Sequence, residues 1–168
     1  MDTINKKDFR IMAVALSTSG FGYAVFEGNE MLVECDTKTA RGDNKNAKTL
    51  NKVQKLIAHF QPDVLILENT SVKDSRRSQR IRILSQQIIK LARDGKVEVK
   101  LISRERVMKT FFPAGDGTRH AMAEAIAKMF SEQLKAQLPP KRKLWDSENH
   151  RMSMFDAVAL GTVFQLKN

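Results

Sequence analysis

The sequence predicts an α/β fold: a mixed five-stranded sheet, three antiparallel strands followed by two parallel ones, with helices on both faces. Three observations carry this expectation. The elements read βββαβαβααα, a meander followed by strands that alternate with helices. The last helix, 150–166, is apolar around most of its circumference and must be buried on more than one side. No internal repeat, low-complexity tract or Pro/Gly/Ser linker interrupts residues 1–168, so one domain is expected.

Taken in order, Ile11-Met12-Ala13-Val14-Ala15-Leu16 is the first strand, and the small residues Ser17-Thr18-Ser19 turn the chain into a returning strand at 20–26. Glu27-Gly28-Asn29-Glu30 is a hairpin turn, and Met31-Leu32-Val33-Glu34-Cys35 is a third strand. Leu50, Val53, Leu56, Ile57 and Phe60 recur at three- and four-residue steps, as on one face of a helix. Gln61-Pro62-Asp63 stops that helix and opens a fourth strand, 63–68, which ends on Glu68.

A second helix, from about Ser75 to Arg93, sets Ile81, Leu84, Ile88 and Leu91 on one face and Gln79, Arg82, Gln86, Lys90 and Arg93 opposite. Asp94-Gly95 ends it, and 97–102 is a fifth strand. Ser103 is positioned to cap a short helix over 103–109, and a longer helix is predicted from about Arg119 to Leu134. Pro139-Pro140-Lys141-Arg142-Lys143 is an extended basic loop, because proline removes helical options for itself and its predecessor.

Composition narrows the function. With 42% hydrophobic residues in 168, the chain can close a substantial core. It has no apolar run of the roughly 20 residues a membrane span needs and no signal-peptide pattern at its start, so a cytoplasmic protein with no membrane partner is expected. Cys35 is the single cysteine, which excludes an internal disulfide framework and a thiolate zinc cluster. The net charge of +10 favours anionic partners. Its distribution is more specific: Lys/Arg exceed Asp/Glu by 0 over residues 1–68, by 6 over 69–100 and by 4 over 101–168.

The surplus begins directly after Glu68, with Lys73, Arg76, Arg77, Arg80 and Arg82. Guanidinium forks pair with phosphate oxygens, so these residues are predicted to bind nucleic acid. Lys141, Arg142 and Lys143, beside Trp145, form a second candidate that adds a ring able to stack on a base.

Two acids occupy unusual places. Glu68 terminates an apolar strand, and Asp156 sits inside an apolar helix, where an unpaired carboxylate would cost several kcal/mol or shift its pKa. A salt bridge from Arg151 or another basic residue would account for Asp156 without any functional role. His59, His120 and His150 have no metal-ligand spacing. Ser17-Thr18-Ser19-Gly20 has the look of a phosphate loop, but no second loop or adenosine-binding glycine motif accompanies it.

These residues together resemble the RuvC-type Holliday-junction resolvases of the RNase H-like superfamily. The family's first strand, I-x-x-I-D-P-G-x-x-x-x-G-Y-x-V, matches Ile11 to Val25 in length, apolar positions and the Gly22-Tyr23 pair. Its aspartate falls on Ala15, its proline on Leu16 and its first glycine on Ser17. The glutamate ending the fourth strand falls on Glu68, and two aspartates of the last helix fall on Ser153 and Asp156.

The resemblance implies a catalytic and metal site at Glu68 and Asp156, with Ala15 and Ser153 at the positions of missing acids. Such sites use two divalent ions about 4 Å apart. Two carboxylates would hold at most one weakly bound Mg2+ or Mn2+, unless Ser17, Asn69, Asp146, Glu148, Asn149 or His150 substituted as ligands. The expected function is binding of branched or structured DNA with impaired or absent cleavage. The alternatives are an active Mg-dependent junction endonuclease with a rearranged ligand set, and a non-catalytic dimerisation or interaction module. The family's pairing of subunits makes a homodimer an expectation as well.

Overall fold

A computed structural model describes residues 9–28, 31–73, 75–143 and 149–167. Strands β1 (Arg10–Ser17), β2 (Gly20–Glu27), β3 (Met31–Thr39), β4 (Val64–Glu68) and β5 (Glu98–Ile102) form one sheet in the order β3-β2-β1-β4-β5. β1 pairs antiparallel with β2 and β2 with β3, whereas β4 runs parallel to β1 and β5 parallel to β4. This is the predicted mixed sheet.

Alternation along the central strands divides the interior in two. Ile11, Ala13, Ala15, Val64 and Ile66 share one core with α6 (Met152–Lys167), α4 (Arg119–Met129) and α3 (Arg104–Phe111). Met12, Val14, Leu16, Leu65 and Leu67 face the other core, against α1 (Lys45–Phe60) and α2 (Gln79–Asp94). Because both faces are covered, the central strands carry apolar residues on successive positions rather than on every second one.

The last helix meets the expectation of burial on several sides. It packs on β1 and β2 below and on α4 and α3 beside it. Two glycines allow the approach. A Cβ on Gly22 would stand 2.2 Å from the Ser153 backbone, and one on Gly161 would stand 2.2 Å from the Phe26 ring. Neither distance is compatible with a side chain, so the backbone of α6 rests directly on β2.

Several boundaries differ from the sequence reading. β3 runs on to Thr39, as an edge strand in which only Leu32 is fully buried. α1 starts at Lys45, adding a polar turn that has no apolar periodicity to reveal it. α2 starts at Gln79 rather than Ser75: the Ser78 hydroxyl accepts the Ile81 amide at 3.3 Å, and the residues before it are non-helical. The helix expected over 119–134 breaks at Phe130, whose ring meets Phe26 edge-on at 6.0 Å, and a short α5 (Ser131–Leu134) follows. Ser103 caps α3 as predicted, accepting the Arg106 amide at 3.1 Å. Asn29 and Glu30 of the predicted turn, Asp74, Trp145, Asp146 and Glu148 lie outside the described residues.

Candidate nucleic-acid interface

The carboxyl ends of β1 and β4 lie side by side. One step beyond the parallel Val14–Leu67 pair come Ala15 and Glu68, and alternation turns both toward α6. Ala15 is buried beneath that helix. Asp156 projects from α6 into the same pocket, so Ala15, Glu68 and Asp156 line one pocket.

The pocket is nevertheless basic. Arg77, Arg104 and Arg119 line it alongside Glu68 and Asp156, three cations against two anions. Arg119 holds Asp156 through a two-point fork: Nε donates to Oδ1 at 3.1 Å and Nη2 donates to Oδ2. Arg77 places its Nε 3.8 Å from Glu68 Oε1 and donates from Nη2 to the Leu16 carbonyl. All four side chains are about three-quarters buried, so both ion pairs are only partly screened by solvent.

Of the residues named as substitute ligands, Asp146 and Glu148 lie outside the described residues, and Asn69 and Asn149 make local hydrogen bonds. Asn69 Oδ1 accepts from the Ser71 amide at 3.0 Å and from its hydroxyl at 2.6 Å. Asn149 Oδ1 accepts from the Arg151 amide at 2.9 Å. Ser153 is buried, and its hydroxyl donates to the His150 carbonyl at 3.0 Å. His150 Nδ1 lies 3.4 Å from Ser19 Oγ, while Ser17 Oγ is buried with no hydrogen-bond partner among the described residues. Among the described residues no group of three or more His, Cys, Asp or Glu side chains is placed to hold a metal.

A two-metal centre therefore does not fit the described residues. Ala15 offers the pocket only a methyl group, the Ser153 hydroxyl is bonded to backbone, and both Glu68 and Asp156 face guanidinium groups. Bringing a dication in would mean displacing those guanidiniums or approaching them at short range, which Coulomb repulsion opposes.

The predicted basic segment is divided by the fold. Arg80 donates to Asn46 Oδ1 at 2.9 Å and to the Thr18 carbonyl at 3.3 Å. Arg82 donates to the Arg77 and Ser75 carbonyls at 3.1 and 2.8 Å. Arg80 and Arg77 tie the segment to the ends of β1 and α1 and Arg82 braces it internally, whereas Lys73 and Arg76 are exposed. On the other flank Lys141 and Arg142 line a pocket of about 240 Å³ with Thr118, Arg119 and His120. His120 Nε2 is 3.0 Å from the Pro139 carbonyl, which fixes the loop against α4.

Arg119 lines both pockets and so joins the two basic segments into one surface. Neither Arg119 nor Arg104 was singled out by sequence reasoning. The sole hint was Asp156 itself, since a carboxylate in an apolar helix demands a cation. Arg151, the partner suggested by proximity in sequence, is exposed and bonds Gln137 instead, at 3.4 Å.

No protein-family model matches the chain, and no curated protein matches its sequence. Solved structures do match its shape. The RuvC of Thermus thermophilus in complex with a Holliday junction substrate superposes with a TM-score of 0.67 at 11% identity, covering 92% of each chain. The yeast mitochondrial Holliday junction resolvase Ydc2 gives 0.64 at 13% identity, over 95% of this chain and 78% of that one. The Fowlpox virus resolvase bound to Holliday junction DNA gives 0.60 at 16% identity, over 95% and 98%. The chain has the mixed-sheet, RNase H-like fold of the RuvC-type Holliday-junction resolvases.

Proposed function

We propose that this protein binds branched DNA through the surface running from Lys73 and Arg76 across Arg119 to Lys141, Arg142 and Lys143, and that it does not cut what it binds. The observation that carries the reading is the capture of both surviving acids by arginines of the same chain. A site that activates water on a phosphodiester needs carboxylates free to hold cations, and these carboxylates are neutralised from within. A site that grips the phosphate backbone needs surplus positive charge, and this pocket has it.

The endonuclease alternative is disfavoured by the same ion pairs. The exposed apolar side chains Phe9, Met129 and Leu166, at the end of the sheet away from Glu68, favour pairing of two copies as an accompanying feature. Sedimentation at micromolar concentration tests that pairing. For binding, a salt titration with a labelled four-way junction and a matched duplex is decisive. The affinity for the junction should fall steeply with salt and exceed that for the duplex. Affinity indifferent to salt, or equal for both, would refute the reading.

A further inference from the structure

Two features of the acid pocket are left without a role by simple charge pairing. Arg104, at the first position of α3, is exposed at the pocket wall and makes no hydrogen bond or ion pair with the described residues. Arg77 Nε is buried with no hydrogen-bond partner, and its ion pair with Glu68 is long, at 3.8 Å. The buried Arg77 donor is costly to leave unsatisfied, and the solvent-facing Arg104 guanidinium has no partner among the described residues, so both are open to an added acceptor.

Charge and size identify the class of that acceptor. Among the described residues three guanidinium groups face two carboxylates, a surplus of one positive charge in the lining. A phosphodiester carries one negative charge. The pocket offers about 40 Å³, which by the volume a water needs is room for about three water-sized groups. The two non-bridging oxygens of a phosphodiester fit that space and a nucleobase does not.

We propose that the pocket at Ala15 is a metal-free phosphate clamp, in which Arg77 and Arg104 take the non-bridging oxygens of one backbone phosphodiester and Asp156 holds Arg119 in position beside them. The clamp rests on the nucleic-acid reading above and deepens it by naming the group this site receives. Ala15 is then an asset: an aspartate there would cancel the single surplus charge and repel the phosphate. Glu68 competes with the incoming phosphate for Arg77, so its charge opposes binding.

The sign of the Glu68 effect distinguishes a clamp from a metal site. Junction binding is measured in EDTA at several NaCl concentrations for the natural protein, Arg104→Ala, Glu68→Gln and Lys141→Ala/Arg142→Ala, with thermal unfolding as the folding control. The clamp predicts that Arg104→Ala weakens binding by about 5- to 20-fold at 0.1 M salt and lowers the salt slope by about 1. It also predicts that Glu68→Gln tightens binding, by about 3-fold or more. Unchanged affinity in folded Arg104→Ala and Glu68→Gln, with Lys141→Ala/Arg142→Ala still weakening, would overturn the clamp and leave the nucleic-acid reading standing. Tighter binding by the natural protein when magnesium replaces EDTA, a gain that Glu68→Gln abolishes, would overturn it in favour of a metal site. Salt-independent affinity in all four would overturn both.

Discussion

Arg119 and Asp156 meet as a fork on a carboxylate, with Nε 3.1 Å from Oδ1 and Nη2 on Oδ2, and each side chain is about three-quarters buried. They come from the first residue of α4 and the second turn of α6, so this contact clamps two helices together at the edge of the pocket. The geometry makes the acid a structural partner of the arginine, with consequences for stability as well as for function.

Replacing Arg119 by alanine leaves the Asp156 carboxylate partly buried without its fork. The expected loss is about 2 kcal/mol, the scale of hydrogen bonds to charged groups. Chemical denaturation of Arg119→Ala, Asp156→Asn and the double variant measures it, and the two single effects should fail to add by about 1 kcal/mol or more. Additive effects would mean that the pair does not couple.

Gly22→Ala is expected to be among the most damaging small substitutions in the chain. The new methyl would meet the Ser153 carbonyl carbon and oxygen at 2.2 Å, both backbone atoms with little freedom to retreat. A loss of about 3 kcal/mol or more should follow, as for overpacked cores. A thermal midpoint close to that of the natural protein would show that α6 does not rest on β2 as described.

Cys35 gives the protein a pH dependence of known direction. Burial, followed by the nearby Asp36 and Glu34 charges, pushes its thiol from 9.0 up to about 11. The unfolded chain thus releases this proton at lower pH than the folded one. The stability contributed is full below about pH 9 and declines from there to about pH 11. Tyr23, raised first by burial and then by its hydrogen bond to Glu34, adds a decline in the same direction above its ordinary value of 10.0. Urea midpoints between pH 8 and 11 should fall for the natural protein and fall less for Cys35→Ala; equal slopes would contradict the assignment.

The two kinds of arginine after Glu68 should separate experimentally. Arg82 spends its guanidinium on the Arg77 and Ser75 carbonyls, so Arg82→Ala should cost about 1 kcal/mol of stability and affect DNA affinity mainly through the placement of Arg77. Lys73 and Arg76 are exposed, so Lys73→Ala/Arg76→Ala should leave stability unchanged and lower the salt slope of binding by about 2. The reverse assignment of effects would place the interface elsewhere.

The sheet could be read from the sequence because its signals are local. Apolar strands, the Gly22-Tyr23 pair and the punctuation at Pro62 and Gly95 each act within a few residues, and the observed register follows. The grouping of Ala15, Glu68 and Asp156 in one pocket was legible only through the family resemblance. What escaped the sequence is long-range. Arg119 stands 37 residues from Asp156, and nothing in its neighbourhood marks it as that acid's partner. The break at Phe130 coincides with its contact to the distant Phe26 ring. Helical periodicity carries no trace of such contacts.

A cleavage time course on a labelled four-way junction, with magnesium and with manganese, bears most directly on whether the arginine-held acids have left a binding protein rather than a nuclease. The predicted result is a salt-sensitive complex with no strand scission by the natural protein, by Glu68→Gln or by Asp156→Asn. Scission by the natural protein that either substitution abolishes would contradict it.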